Sequence, residues 1–288
     1  MYCKSGKPLL GDEILSMIDG VDGYIAGLDY LTADVIRQLP KSLKVISRYG
    51  AGCDRVDLAA CRAQGITVTN TPGVNATAVC ELAFGLLLAV ARSIPTLHGA
   101  VEKGQWPRAD GMELAGKTLG IVGLGAIGKK LALRAKAFEM RVLANDAYLD
   151  RDFVDAHGIE AMELDDLIRC SDVISLHVPK TEETYHMIGR KQISTMRQGA
   201  ILLNTARGGL IDEDAAAEAI RSGKLRGMGI DAFENEPPVD SPLMGLPGVV
   251  FTPHTGAHTT EAIANMGLLA VENLIAVLSG EPCRNIVS

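Results

Sequence analysis

The sequence predicts an α/β protein built on a doubly wound parallel sheet, and three observations carry that expectation. Short apolar runs alternate with amphipathic stretches from Thr118 onward, the runs end in Gly, Asp, Pro or Asn, and a smaller version of the same alternation precedes a long apolar helix. Apolar strands separated by helices form parallel sheets covered on both faces. The runs are Thr118–Val122, Arg141–Asn145, Asp172–Val178, Ala200–Asn204, Met228–Ile230 and Val249–Thr252, with helices such as Ile127–Phe138 and Glu213–Arg221 between them.

In the first part, Gly23–Ala26, Leu43–Ser47 and Ile66–Thr69 read as strands, and Asp12–Met17, Thr32–Gln38 and Leu58–Gln64 read as helices. A long helix over about Ala76–Arg92 then leads into a loop with Pro95, Pro107 and Gly111. Glu261–Leu278 is a further amphipathic helix that returns to the first part. The expected division is therefore residues 1–94 plus 258–288 for a smaller domain and 95–257 for a nucleotide domain. No tandem repeat or low-complexity segment interrupts it.

Composition narrows the class. Of 288 residues, 47% are apolar and 22% charged, the balance of a globular protein. The net charge of −7, with the 28 basic residues scattered, argues against a nucleic-acid partner. Cys3, Cys53, Cys61, Cys80, Cys170 and Cys283 form no CxxC pair and have no histidine at zinc-ligand spacing, so no metal is expected. They read as reduced and mostly buried residues of a cytoplasmic protein. Leu82–Ala91 is the most apolar stretch, shorter than the ~20 residues that span a bilayer, so no membrane partner is expected.

Gly123-Leu-Gly125-Ala-Ile-Gly128 is a GxGxxG that follows one strand and opens a helix. The first glycine permits the tight turn, the second lets backbone approach a pyrophosphate, and the third lets helix pack on strand. The helix N-terminus adds free N–H groups and a positive dipole. Asp146, eighteen residues beyond Gly128, ends the next strand, where an acid accepts hydrogen bonds from ribose hydroxyls and repels a 2′-phosphate. This context predicts a Rossmann-type fold with NAD favoured over NADP, although Arg151 stands nearby.

Polar residues just past the later strands converge on the same crevice. The fourth run enters Asn204-Thr-Ala-Arg207, the fifth ends at Asp231 ahead of Glu236, and the sixth enters Thr252-Pro-His254. A histidine, with its ordinary pKa of ~6.5, suits both giving and taking a proton at a carbonyl oxygen. A carboxylate behind the ring orients it and favours its protonated form. Arginine's planar fork matches a carboxylate. Arg207, Glu236 and His254 are therefore the candidate catalytic residues for reduction of a 2-keto acid at C2.

At these residues the sequence resembles the D-isomer-specific 2-hydroxyacid dehydrogenases, most closely short phosphoglycerate dehydrogenase-like members without a regulatory domain. The resemblance runs through Ser47–Gly52, Asn70–Gly73, Gly116–Gly120, the glycine loop, His177–Pro179, Asn204–Gly208 and Thr252–His254. It implies a Rossmann NAD domain and a smaller flavodoxin-like α/β substrate domain. It implies that Arg207 grips the substrate, His254 is the acid/base and Glu236 its partner. Gly123, Gly125, Ala126, Ile127 and Gly128 would hold the pyrophosphate and Asp146 the ribose, with Pro179, Thr205, Ala206, Asp231 and Gly256 lining the cofactor. Arg48, Tyr49, Gly50, Ala51 and Gly52 would bind substrate, the turn through its amides. A homodimer formed through the nucleotide domain is implied, with the loop around Trp106 as its arm.

Two features depart from the family pattern. Met1–Pro8 matches only the end of the first strand–helix–strand unit, so upstream sequence is expected, and without it the first sheet keeps an open edge. His258 stands where a small hydroxyl or aromatic residue is commoner, and capping of the last helix is the favoured role. Two other functions share the fold: a formate dehydrogenase, which pairs its histidine with glutamine, and a non-enzymatic NAD-sensing scaffold. The substrate is open among 3-phosphoglycerate, hydroxypyruvate and glyoxylate; Arg48 reaches a phosphate in the first case or is a structural ion-pair partner.

Overall fold

The computed structural model describes residues 8–288. Cys3 and nearly all of the Met1–Pro8 departure lie outside them. The chain divides into two compact units, one running to Asn75 and resuming at His258–Ser288, the other Ala76–Ala257.

The smaller unit holds α1 (Gly11–Met17), β1 (Gly23–Ala26), α2 (Ala33–Arg37), β2 (Val45–Arg48), α3 (Leu58–Ala63) and β3 (Thr67–Thr69), then the terminal helix α11 (Thr260–Ser279). Its strands are parallel in the order β1-β2-β3, with Gly23 beside Val45 and Val45 beside Thr67. Thr32, Asp57 and Thr259 each accept a backbone N–H at the start of a helix, which fixes where α2, α3 and α11 begin. Thr259, not His258, is thus the cap of the last helix. Among the described residues α11 alone reaches bilayer-spanning length and apolarity unbroken, a feature the sequence reading passed over. Ala262, Met266 and Ala270 of α11 are buried, and its buried Asn273 donates to Asn70 O.

The larger unit holds α4 (Ala76–Ala91), α5 (Ile94–Glu102), β4 (Thr118–Val122), α6 (Ala126–Ala137), β5 (Arg141–Asn145), α7 (Arg151–Ala156), β6 (Glu160–Ala161), α8 (Leu164–Cys170), β7 (Val173–Leu176), α9 (Arg190–Thr195), β8 (Ala200–Asn204), α10 (Glu213–Arg221), β9 (Leu225–Ile230) and β10 (Val249–Phe251). Its seven strands are all parallel, in the order β10-β9-β8-β7-β4-β5-β6. Strand direction of travel across the sheet reverses between β4 and β7, and ligands of open α/β sheets bind outside the strand ends at that point. Successive strand residues feed opposite cores. Ile121, Val173 and Leu203 face Phe84, Leu87 and Leu131, while Val122, Ile174 and Leu202 face Leu167, Ile193 and Ile220.

Three expectations are corrected here. The boundary at residue 94 moves to 75, because α4 buries Ala83, Leu86, Leu87 and Val90 against the larger unit's sheet. The loop expected at Pro95 is instead helix α5, since proline is tolerated in a first turn. Of the five described cysteines, only Cys61 and Cys80 are buried.

Candidate active site

The glycine loop follows β4 at the switch point. Gly123 has a φ of +96°, and a methyl group added there would lie 2.6 Å from the His177 carbonyl oxygen on the neighbouring strand. A methyl on Gly128 would lie 2.2 Å from Gly123 O, so α6 can approach β4 only through glycine. Gly125 differs, because an added methyl would meet nothing within 4 Å. It opens α6 without a side-chain cap, which leaves the first amides, including those of Ala126 and Ile127, to an outside acceptor.

Asp146 follows β5 and fastens this loop, accepting Leu124 N–H at 2.6 Å and Tyr148 N–H at 2.8 Å. It lines a cleft of about 500 Å³ together with Arg151, Met162 and Glu163. One residue past the paired ends of β7 and β8 stand His177 and Thr205. Nδ1 of His177 and Oγ1 of Thr205 are buried without a protein partner among the described residues. Burial pushes His177 down to about 4, so the ring is neutral, with Nε2 against Ser175 Oγ at 2.8 Å. A buried polar atom left unpaired costs about 1–3 kcal/mol, and such atoms beside an open glycine cradle fit a bound dinucleotide. Pro179 is exposed just beyond, and Ala206 is buried beside Thr205.

A histidine–glutamate pair is formed from two loops. His254 Nδ1 meets Glu236 Oε1 at 2.7 Å, and Phe233 N–H donates to the same oxygen at 3.3 Å. A carboxylate at Nδ1 selects the Nδ1–H tautomer and leaves Nε2 for a substrate. His254 holds a φ of +52°, an uncommon conformation for a residue with a side chain and one that clusters at functional sites. Asp231 holds it there: its buried carboxylate accepts Thr252 Oγ1 at 2.6 Å, Thr255 N at 2.8 Å and Gly256 N at 2.9 Å.

Arg207 is half-buried, and its Nη1 donates to Ala206 O at 2.7 Å. Its loop lies against the one that carries Glu236. A methyl on Gly208 would overlap Phe233 O at 1.6 Å, and buried Asn204 donates from Nδ2 to both Arg207 O (2.8 Å) and Ala232 O (3.3 Å).

Residues 84–256, which contain all of these groups, match the model of the D-isomer specific 2-hydroxyacid dehydrogenase NAD binding domain. The chain belongs to the D-isomer specific 2-hydroxyacid dehydrogenase family. It is 43% identical over 284 residues to a D-3-phosphoglycerate dehydrogenase of Methanocaldococcus jannaschii, covering 97% of this chain and 54% of that one. It is 44% identical over 274 residues to a hydroxypyruvate reductase of Thermotoga maritima, covering 93% and 88%. Among solved structures, D-lactate dehydrogenase from Aquifex aeolicus complexed with NAD and lactic acid superposes with a TM-score of 0.85 at 32% identity, covering 93% and 86%. The chain spans about half the length of the phosphoglycerate dehydrogenases it matches.

In the smaller unit, the Tyr49–Gly52 turn follows β2. Gly50 adopts a φ of +137° and gives its N–H to Thr71 Oγ1 at 2.9 Å, so that amide is committed, and Asn70 Nδ2 holds Ala51 O at 2.8 Å. Arg48 is 7% exposed, with Nη1 directed at the carbonyls of Ala26 and Tyr49. That placement makes it a brace beneath the turn. Sequence reasoning missed the bridging of two loops by Asn204 and the anchoring of the His254 segment by Asp231. The only signal was position, since both residues end buried strands.

Proposed function

We propose that this chain is an NAD-dependent dehydrogenase that interconverts a D-2-hydroxy acid and its 2-keto acid. The observation that carries the reading is the 2.7 Å contact between His254 and Glu236 on loops at the carboxyl ends of the sheet that bears the dinucleotide loop. Bound NADH supplies the hydride to C2. Arg207 binds the substrate carboxylate and polarises the adjacent carbonyl. His254, protonated, gives its Nε2 proton to the carbonyl oxygen while Glu236 balances the ring's charge, and in the oxidative direction the neutral ring takes that proton back. The amides of Ala51 and Gly52 are proposed to serve a substrate anion.

Relatives named for 3-phosphoglycerate, hydroxypyruvate and glyoxylate support the substrate class. Arg48, buried with Nη1 directed at backbone carbonyls, supports hydroxypyruvate or glyoxylate over a phosphorylated acid. Glutamate rather than glutamine at position 236 argues against formate chemistry, and the intact His–Glu pair argues against a scaffold without turnover. A cytoplasmic homodimer is proposed on the family resemblance and the 82% exposed Trp106 in the segment after α5.

The test is NADH oxidation with a panel of 2-keto acids. The reading expects turnover of hydroxypyruvate or glyoxylate, lowered by about 10²–10⁴ in kcat by His254→Ala with NADH affinity retained. No turnover with any member of the panel, or full kcat in H254A, would contradict it.

A further inference from the structure

We infer that Glu213 is a positioning residue that sets where Glu236 meets His254, an inference that rests on the dehydrogenase reading above. Glu213 opens α10 but does not cap it; that task belongs to Asp212, which accepts Ala215 N–H. The Glu213 carboxylate is only 9% exposed and turns instead to the loop after β9. Its Oε1 accepts Glu234 N–H at 2.9 Å and its Oε2 accepts Ser241 Oγ–H at 2.5 Å. One carboxylate therefore grips the loop on both sides of Glu236. Burying a carboxylate is costly unless its oxygens are used, and here both oxygens are used on the same loop.

Much of that stretch is open to solvent. Asn235, Glu236, Pro237, Val239 and Asp240 are exposed, and a cavity of about 490 Å³ lies along the loop. A further tether is the Glu234 side chain, which takes Tyr185 Oη–H at 2.7 Å and meets His186 Nε2 at 3.1 Å. Five of the six residues from 235 to 240 are exposed, so hydrogen bonds to this loop, with Phe233 N–H on the Glu236 carboxylate itself, carry much of its positioning. Glu213 supplies the two that bracket it.

The substitution Glu213→Ala removes both. A misplacement of about 1 Å can cost roughly 10²-fold, so kcat for keto-acid reduction should fall about 10- to 100-fold while NADH affinity, read by fluorescence, stays unchanged. The titratable neighbours Asp212, Asp214, Glu234, His186, Tyr185 and Asp240 all remain in that variant. The pH at which reduction fades should therefore move downward, as is expected for Glu236→Gln when the anion beside the ring is removed. Glu213→Gln should recover most of the rate, because its amide oxygen still accepts Glu234 N–H and its NH₂ can donate to the Ser241 hydroxyl. In an E236Q background E213A should add almost nothing, since its effect passes through Glu236.

Should E213A fail to fold, Ser241→Ala removes one bracket and should give a smaller fall with the same pH shift. Full kcat in E213A, or in S241A where E213A does not fold, overturns the inference while leaving the dehydrogenase reading intact. So does a loss that simply adds to that of E236Q. An E236Q variant with unchanged kcat and pH profile overturns both, because there is then no pair to position.

Discussion

Asp231 and Glu236 leave the same strand and come to serve the same histidine in different ways. Asp231 is 1% exposed and spends its carboxylate on the His254 segment, whereas Glu236 reaches the ring itself. Asp146 fastens the glycine loop and lines the neighbouring cleft, and its proposed second use is to hold the adenosine ribose. Asp146→Ala should lower NADH affinity, release the repulsion toward a 2′-phosphate beside Arg151, and narrow the preference for NADH over NADPH. Titration of both cofactors checks this, and equal affinities in the unmodified chain would contradict it. His177 contributes through pH. Its folded-state value of about 4 lies below the ordinary ~6.5, so the unfolded chain binds more protons in between. The sign is that of a depressed group: the contribution is complete above pH ~6.5 and lost as pH falls toward ~4, by up to about 3 kcal/mol. Denaturant midpoints at pH 7 and 4.5 should therefore drop more for the unmodified chain than for His177→Gln, and equal drops would refute the assignment.

At the scale of elements, the approach of α6 to β4 depends on Gly128. With a methyl 2.2 Å from a backbone carbonyl, Gly128→Ala must push strand and helix apart. It should destabilise the chain by about 1–3 kcal/mol in a denaturant titration and weaken NADH binding in parallel; an unchanged midpoint would contradict this. The strands β4, β5 and β8 were legible because each is a continuous apolar run closed by Gly or a polar residue. Strand β6, two exposed residues at Glu160–Ala161, offers no such pattern and went unread. Helix α4 was legible as a helix but not as a member of the larger unit, because an all-round apolar helix does not reveal which sheet it covers. The candidate site was legible where chemistry demands a residue type, at Gly123, Asp146, Glu236 and His254. It was illegible where a side chain acts through backbone atoms distant in sequence, as Asn204 and Glu213 do. Glu213 in particular reads as an ordinary acid in a helix's first turn.

At the scale of the molecule, the larger unit carries the glycine loop, Asp146, the Arg207 loop and the His254–Glu236 pair on a single seven-stranded sheet. A single parallel sheet places them at one set of strand ends, so in the proposed reading one scaffold positions both cofactor and proton donor. The central claim is that His254 donates its proton with Glu236 as its charged partner. The most direct measurement is the pH profile of kcat for hydroxypyruvate or glyoxylate reduction in the unmodified enzyme and in E236Q. Removing the anion 2.7 Å from the ring destabilises the imidazolium, so reduction should fade at a lower pH in E236Q, with the oxidative direction rising over the same range. Profiles that coincide in the two proteins would contradict the account.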